Sequence, residues 1–115
     1  MNIETLREIS MALPGAQEDI KWEKDLCFMV RDKIFLFVAL ERVPTSASFK
    51  VPGEAFDEWV AKDGCKPAPY LARYKWVHIE DVSLLPRSRW EEIVRMSYDL
   101  IKSKLPKRVQ RELGE

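Results

Sequence analysis

Glycine is scarce, and its placement excludes more than its number. The four glycines, Gly15, Gly53, Gly64 and Gly114, are scattered through 115 residues. No glycine-rich phosphate loop can be built from them, which argues against nucleotide binding by the common motifs. Histidine is scarcer still. His78 is the only one, so no histidine cluster exists for zinc or non-haem iron. The two cysteines, Cys27 and Cys65, lack the short spacing of a metal knuckle. Cys27 lies in an apolar run and reads as buried packing, whereas Cys65 follows Gly64 in an expected loop. Two unpaired thiols fit a reducing, cytoplasmic setting.

Long hydrophobic runs are also missing. The most apolar segment, Ile34 to Leu40, is strand-sized and far below the ~20 residues that span a bilayer. The N-terminal residues Met1 to Thr5 have no basic start followed by an apolar core, so no signal peptide is expected there. Net charge is absent as well, with 19 basic and 19 acidic residues. A domain held to DNA by its overall field would be clearly basic, so any nucleic-acid site must be a local patch.

What is present describes one small α+β domain over residues 1–115. Ile3, Leu6, Ile9 and Leu13 follow helical spacing, with Asn2 placed to cap the helix and Pro14-Gly15 to stop it. Ala16 to Trp22 reads as a brief edge strand. Leu26–Val30 and Ile34–Leu40 read as a hairpin joined by Arg31-Asp32-Lys33. The second of these is apolar on both alternating sets, as central strands are. Thr45–Lys50 alternates and reads as a half-buried strand. Pro52 opens a second helix carrying Ala55, Phe56, Trp59 and Val60. Cys65 to Tyr70 reads as a proline-stiffened loop, and Tyr74–Glu80 as another strand. Pro86 opens a long third helix with Trp90, Ile93, Val94, Ser97, Leu100, Ile101 and Leu105 along one face. Pro106 ends it, and residues 107–115 read as frayed or as a last short turn. Short connections between consecutive strands imply one antiparallel sheet of up to five strands, with the helices on one face.

No constellation for catalysis emerges, so a non-enzymatic domain without cofactor or metal is expected. A Cys–His pair would need Cys27 or Cys65 to meet His78 in space. His78 itself reads as an ordinary polar side chain of a sheet face. Glu18, Asp19, Glu23 and Asp25 could suit a hard cation, but Lys21 and Lys24 interleave with them, as on a solvated edge.

Several segments, in order, resemble the MmcQ/YjbR family. They are Leu13-Pro14-Gly15-Ala16 with Glu18-Asp19, Lys33-Ile34-Phe35, Phe49-Lys50 before Pro52, Pro67-Ala68-Pro69-Tyr70-Leu71 with Trp76-Val77, and Ser97-Tyr98-Asp99-Leu100. The resemblance covers nearly the whole chain. It departs at Val51, where the family often has an acidic helix cap, and at Asp32, which stands for the family's hairpin glycine. Asp tolerates such backbone angles better than most residues. The resemblance implies a frataxin-like (CyaY-like) α+β fold and the family's usual description as DNA-binding, without fixing binding residues.

Two sets of residues are candidates for function. For nucleic acid they are the basic residues Lys66, Arg73 and Lys75 among aromatic rings, and Lys104, Lys107, Arg108 and Arg111 near the C-terminus. Cations neutralise phosphates while rings stack on bases. The bland alternative is that cations at a helix C-terminus merely complement its dipole. For a protein or small-molecule partner the candidates are Phe35, Phe37, Tyr70, Trp76 and His78, provided they share an uncovered sheet face. Alternation puts Phe35 with Phe37, and Trp76 with His78, but leaves open which face each pair takes. A monomer with no membrane association is expected.

Overall fold

The computed structural model describes residues 1–114. Its elements run α1 (Ile3–Met11), β1 (Ala16–Lys21), β2 (Asp25–Val30), β3 (Lys33–Ala39), β4 (Ala47–Lys50), α2 (Phe56–Val60), β5 (Cys65–Pro67), β6 (Trp76–Ile79), α3 (Arg87–Lys102) and α4 (Lys107–Glu112), with single 3-10 turns before α2, β6 and α3. The sheet has six strands in the order β1-β2-β3-β4-β6-β5, every pair antiparallel. The expected loop over Cys65 to Tyr70 contains the sixth strand. Pro67 is tolerated in β5 because β5 is an edge that pairs on one side only, and Pro69 lies beyond the strand.

The helices begin and end where side-chain chemistry dictates. Asn2 Oδ1 accepts from Thr5 N–H at 2.9 Å to open α1. The chain leaves α1 through Gly15, at φ +71°, where a Cβ would strike Leu113. That contact corrects the reading of the C-terminus as frayed. Residues 107–112 form α4, Leu113 is buried, and Arg31 pairs with Glu112 at 3.1 Å. The apolar Val109 and Leu113, four apart on one side of the turn, supply the packing that a purely polar tail would lack.

β3 decides how the sheet faces divide. Leu36 stands opposite Phe28 and Ile34 opposite Met29, so Phe35 is an extra residue in the ladder. This β-bulge breaks the alternation. Phe35, Leu36 and Val38 all turn into the core and are fully buried, while Phe37 keeps the opposite face. The pairing of Phe35 with Phe37 on one surface is therefore corrected: Phe35 is core, its ring edge-on to Tyr98 of α3 with centroids 5.3 Å apart. Ser97 of α3 holds the irregularity in place. Its hydroxyl donates to the Phe35 carbonyl at 2.6 Å and accepts from the Lys50 N–H at 2.9 Å. Beside it, Tyr98 donates to the Pro14 carbonyl at 2.6 Å, tying α3 to the end of α1.

The core lies between this sheet face and the helices. α3 crosses β2, β3 and β4, α1 packs beside α3 and β1, and α2 lies over β5 and β6. Phe49 sits at the junction, edge-on to Trp59 of α2 at 5.2 Å and to Trp90 of α3 at 5.8 Å. Trp90 is fully buried, and its indole N–H donates to the Val82 carbonyl at 2.8 Å. The Trp90→Ala variant should lose about 3–5 kcal/mol of stability. A denaturant titration reads this directly, and a loss under ~1 kcal/mol would remove Trp90 from the core.

Candidate functional site

The face away from the helices carries a continuous cross-strand row. Asp19, Cys27, Phe37, Ser48, His78 and Lys66 are successive register partners across all six strands. A flanking row runs Lys21, Asp25 and Ala39. Ser46 continues it, since its carbonyl accepts from Ala39 N–H at 3.1 Å. On the other flank Lys50 stands opposite Trp76. The residues at the middle, Ala39, Ser46 and Ser48, are small. Around them stand large side chains, and the difference in height makes a hollow.

That hollow is a cavity of about 860 Å³. Ala39, Ser46, Ser48 and His78 contribute to its floor, Trp22 and Phe37 to one wall, Tyr70 and Leu71 to another, and Glu41 and Arg42 to the rim. The aromatic wall is itself packed. Phe37 lies 5.5 Å from the Trp76 ring and 6.3 Å from the Trp22 ring, centroid to centroid. A smaller cavity of about 380 Å³ adjoins it, sharing Trp22, Phe37 and Leu71 and reaching Trp76 and Ile101.

The rings at the mouth are held there at a conformational cost. Trp22 and Tyr70 have φ +54° and +66°, a region non-glycine residues seldom occupy and which clusters at functional sites. Tyr70 is 98% exposed and Trp22 61% exposed. Neither ring is placed there by core burial.

Polar groups line the floor. Ser48 Oγ and His78 Nδ1 are 2.9 Å apart. Ser46 is buried, and its hydroxyl has no hydrogen-bond partner among the described residues. A buried hydroxyl left so costs about 1–3 kcal/mol. The charges are also unevenly placed. Burial first, then Lys66 and Arg42, hold His78 below the usual histidine range. On the β2 side, burial first and then Asp25 push the Cys27 thiol up to about 11. Burial likewise raises Asp25. At His78 the cations outweigh Glu80, whereas at Cys27 Lys21 opposes Asp25 and Asp19.

Of the sequence candidates for a partner surface, Phe37, Tyr70, Trp76 and His78 belong to this face, although Trp76 is itself 7% exposed. Phe35 does not. Sequence reasoning missed Trp22, Lys24, Arg42, Ser46 and Ser48, all of which line the larger cavity. The alternation of Ser46 and Ser48 with Ala47 and Phe49 was their only signal.

The basic candidates are dispersed. Lys66 pairs with Glu80 at 3.4 Å. Arg73 stacks on Tyr74 and Lys75 on Phe56, each 5.0 Å from the ring centroid. Lys104 is exposed at the end of α3, close to Lys50. Burial first, then the neighbouring Lys104 ammonium, hold Lys50 below the usual lysine range, and its Nζ donates to the Tyr74 carbonyl. Lys107, Arg108 and Arg111 are exposed on α4. The acidic residues near β1 do not converge: Glu18 is held by Arg7 at 2.7 Å. Among the described residues, no group of three or more His, Cys, Asp or Glu is placed to hold a metal ion, and no helix is long and apolar enough to cross a membrane.

The depressed His78 makes a test of this environment. A histidine favoured in its neutral form adds stability that is complete above its ordinary value of 6.5 and is lost as pH falls from there through the folded-state value. Between about pH 7.5 and pH 5.5 the wild type should therefore lose more stability than His78→Gln. Denaturant titrations of both proteins at the two pH values check this. Equal losses would show that His78 does not titrate differently on folding.

Comparison with known proteins places this architecture. No curated protein matches the chain. Among solved structures, that of Deinococcus radiodurans DR2400, described by its DUF419 domain, superposes with a TM-score of 0.88 at 24% identity, covering 98% of this chain and 88% of that one. A Pseudomonas syringae protein superposes with a TM-score of 0.72 at 17% identity, covering 88% of this chain and 99% of that one. Those similarities establish the shared fold. The YjbR family model matches residues 11–100, from the turn after α1 to the Ser97-Tyr98 pair that holds the bulge, and the chain belongs to the YjbR family.

Proposed function

We propose that this chain is a non-catalytic module that binds a small molecule in the cavity on the open face of its sheet. One observation carries the reading: a cavity of about 860 Å³ combines aromatic walls with a half-buried His78 on its floor. Ligand pockets are commonly 300–1,000 Å³, largely apolar, with a few fixed polar groups. A bound polar group would meet His78, and Trp22 and Tyr70 would close over an apolar body.

The surroundings of the Ser48–His78 pair support the non-catalytic reading. Among the described residues no side chain bonds the second ring nitrogen of His78, so nothing orients the imidazole as a base. β4 is paired on both sides and its Lys50 N–H donates to Ser97, so its backbone N–H groups are engaged rather than free as oxyanion donors beside Ser48. The Cys27 thiol, at about 11, carries little thiolate at neutral pH.

Naphthamide, a neutral bicyclic probe, tests the cavity. It should bind with a dissociation constant in the range of about 1 mM or tighter, and Ala39→Trp, which fills the floor, should abolish binding without unfolding the protein. Calorimetric titration reads both. Binding that survives Ala39→Trp unchanged would place the probe elsewhere and sink this reading.

Nucleic acid is the second reading, and α4 favours it. Lys107, Arg108 and Arg111 are exposed there with no ion pair among the described residues. With Lys104 they could make about four phosphate contacts, giving a slope of log affinity against log salt of roughly −3 to −4. Oligonucleotide titrations at two salt concentrations should show that slope, flattened by about one unit for each cation changed to Gln. No binding to single- or double-stranded oligonucleotides at low salt would dispose of it.

A further inference from the structure

The charges around the cavity are not symmetric, and this bears on which small molecules fit. Lys24 and Arg42 are the cations lining it, and Asp25 and Glu41 the acids. None of the four has an ion pair among the described residues. At the β6 side, Arg42 and Lys66 both act on His78 more strongly than Glu80 does. At the β1–β2 side, Asp25 and Asp19 act on Cys27, with Lys21 opposing them. Each acid of the lining thus has a cation beside it in the chain, Lys24 before Asp25 and Arg42 after Glu41, while at His78 the cations prevail.

The polar donors gather at the cationic end. Ser48 and His78 are cross-strand partners joined by a hydrogen bond of 2.9 Å. Ser46 precedes this pair on the same side of the chain, with its hydroxyl unpartnered. Arg42 stands at the rim in the turn between β3 and β4. A guanidinium presents a planar fork suited to a carboxylate, and hydroxyls donate to carboxylate oxygens without competing charge. The apolar rings Trp22 and Phe37 line the wall on the other side of the floor. An anion there would not stand alone, because the rings offer its carbon skeleton a contact surface.

Resting on the cavity reading above, we propose that the ligand is a planar aromatic carboxylate, its ring between Trp22, Phe37 and Tyr70 and its carboxylate at the Arg42–His78 end. Arg42 supplies the charge that distinguishes an acid from its neutral amide. Trp22 and Tyr70 supply ring contact that is indifferent to charge.

Paired calorimetric titrations with naphthoate and naphthamide test this, because the two differ in charge and hardly in shape. Naphthoate should bind about tenfold tighter, the scale of a charge-assisted hydrogen bond net of desolvation. Arg42→Gln should bring the ratio of the two affinities close to one. Arg87→Gln, an equal charge change on the helix side of the molecule where Arg87 pairs with Glu8, should keep the ratio. Raised salt should reduce it. If the two probes bind equally to the wild type, the carboxylate assignment fails while the cavity reading stands. If the preference for naphthoate persists in Arg42→Gln, the anion is read elsewhere and the assignment is overturned. If neither probe binds at millimolar concentration, the cavity reading itself falls and takes this inference with it.

Discussion

A single serine hydroxyl holds the arrangement on which both faces of the sheet depend. Ser97, buried at the middle of α3, donates to the carbonyl of Phe35 and accepts from the N–H of Lys50. A bulge removes backbone groups from the ladder, and a buried carbonyl or amide left without a partner is costly. By taking both, Ser97 lets β3 carry one residue more than its neighbour. The bulge sends Phe35 inward together with Leu36 and leaves Phe37 outward. Without it, strict alternation would put Phe35 and Phe37 on one face. Either the core would lose a large ring or the open face would gain one.

The open face has its shape because of that division. Phe37 shares this side of β3 with Ile34 and is packed between Trp76 and Trp22. The next outward positions, Ala39 on β3 and Ser46 and Ser48 by β4, are small. The cavity is the space between the aromatic ridge and the turn carrying Glu41 and Arg42. Its chemistry follows from strand order. β6 brings His78 beside Ser48, β5 adds Lys66, and β1 and β2 bring Asp19 and Asp25 to the far side. Strand order thus decides which charged residues border the floor in a chain with no net charge.

The core face shows the opposite economy. Trp90, Phe49 and Trp59 meet edge to face, a geometry that aromatic quadrupoles favour. The large polar handles there have fixed partners, the Trp90 indole on Val82 and the Tyr98 hydroxyl on Pro14. The open face carries two aromatic rings in left-handed backbone, a feature expected of a surface kept for contact rather than for stability.

The sequence by itself determined the α+β class, the helices α1 and α3, the hairpin of β2 and β3, and the family, since these rest on local periodicity, caps and short motifs. Ile3, Leu6 and Ile9 must share a helix face, and Arg31-Asp32 must turn, whatever else the chain does. It also put Phe37, Trp76 and His78 among the candidates, because alternation within a strand is local. Three things were decided only by tertiary structure. Cys65–Pro67 is a strand because β6 offers its edge, although two prolines nearby favour a loop. Residues 107–112 are a helix because Leu113 has a place against Gly15. Phe35 is core because Ser97, 62 positions along the chain, receives its carbonyl. The cavity likewise needs residues from four strands and three turns at once, and no local pattern encodes which of two apolar strand faces the helices will cover. That choice belongs to the packing of α3 on β3, where burying Phe35 and Leu36 together outweighs the alternation their sequence implies.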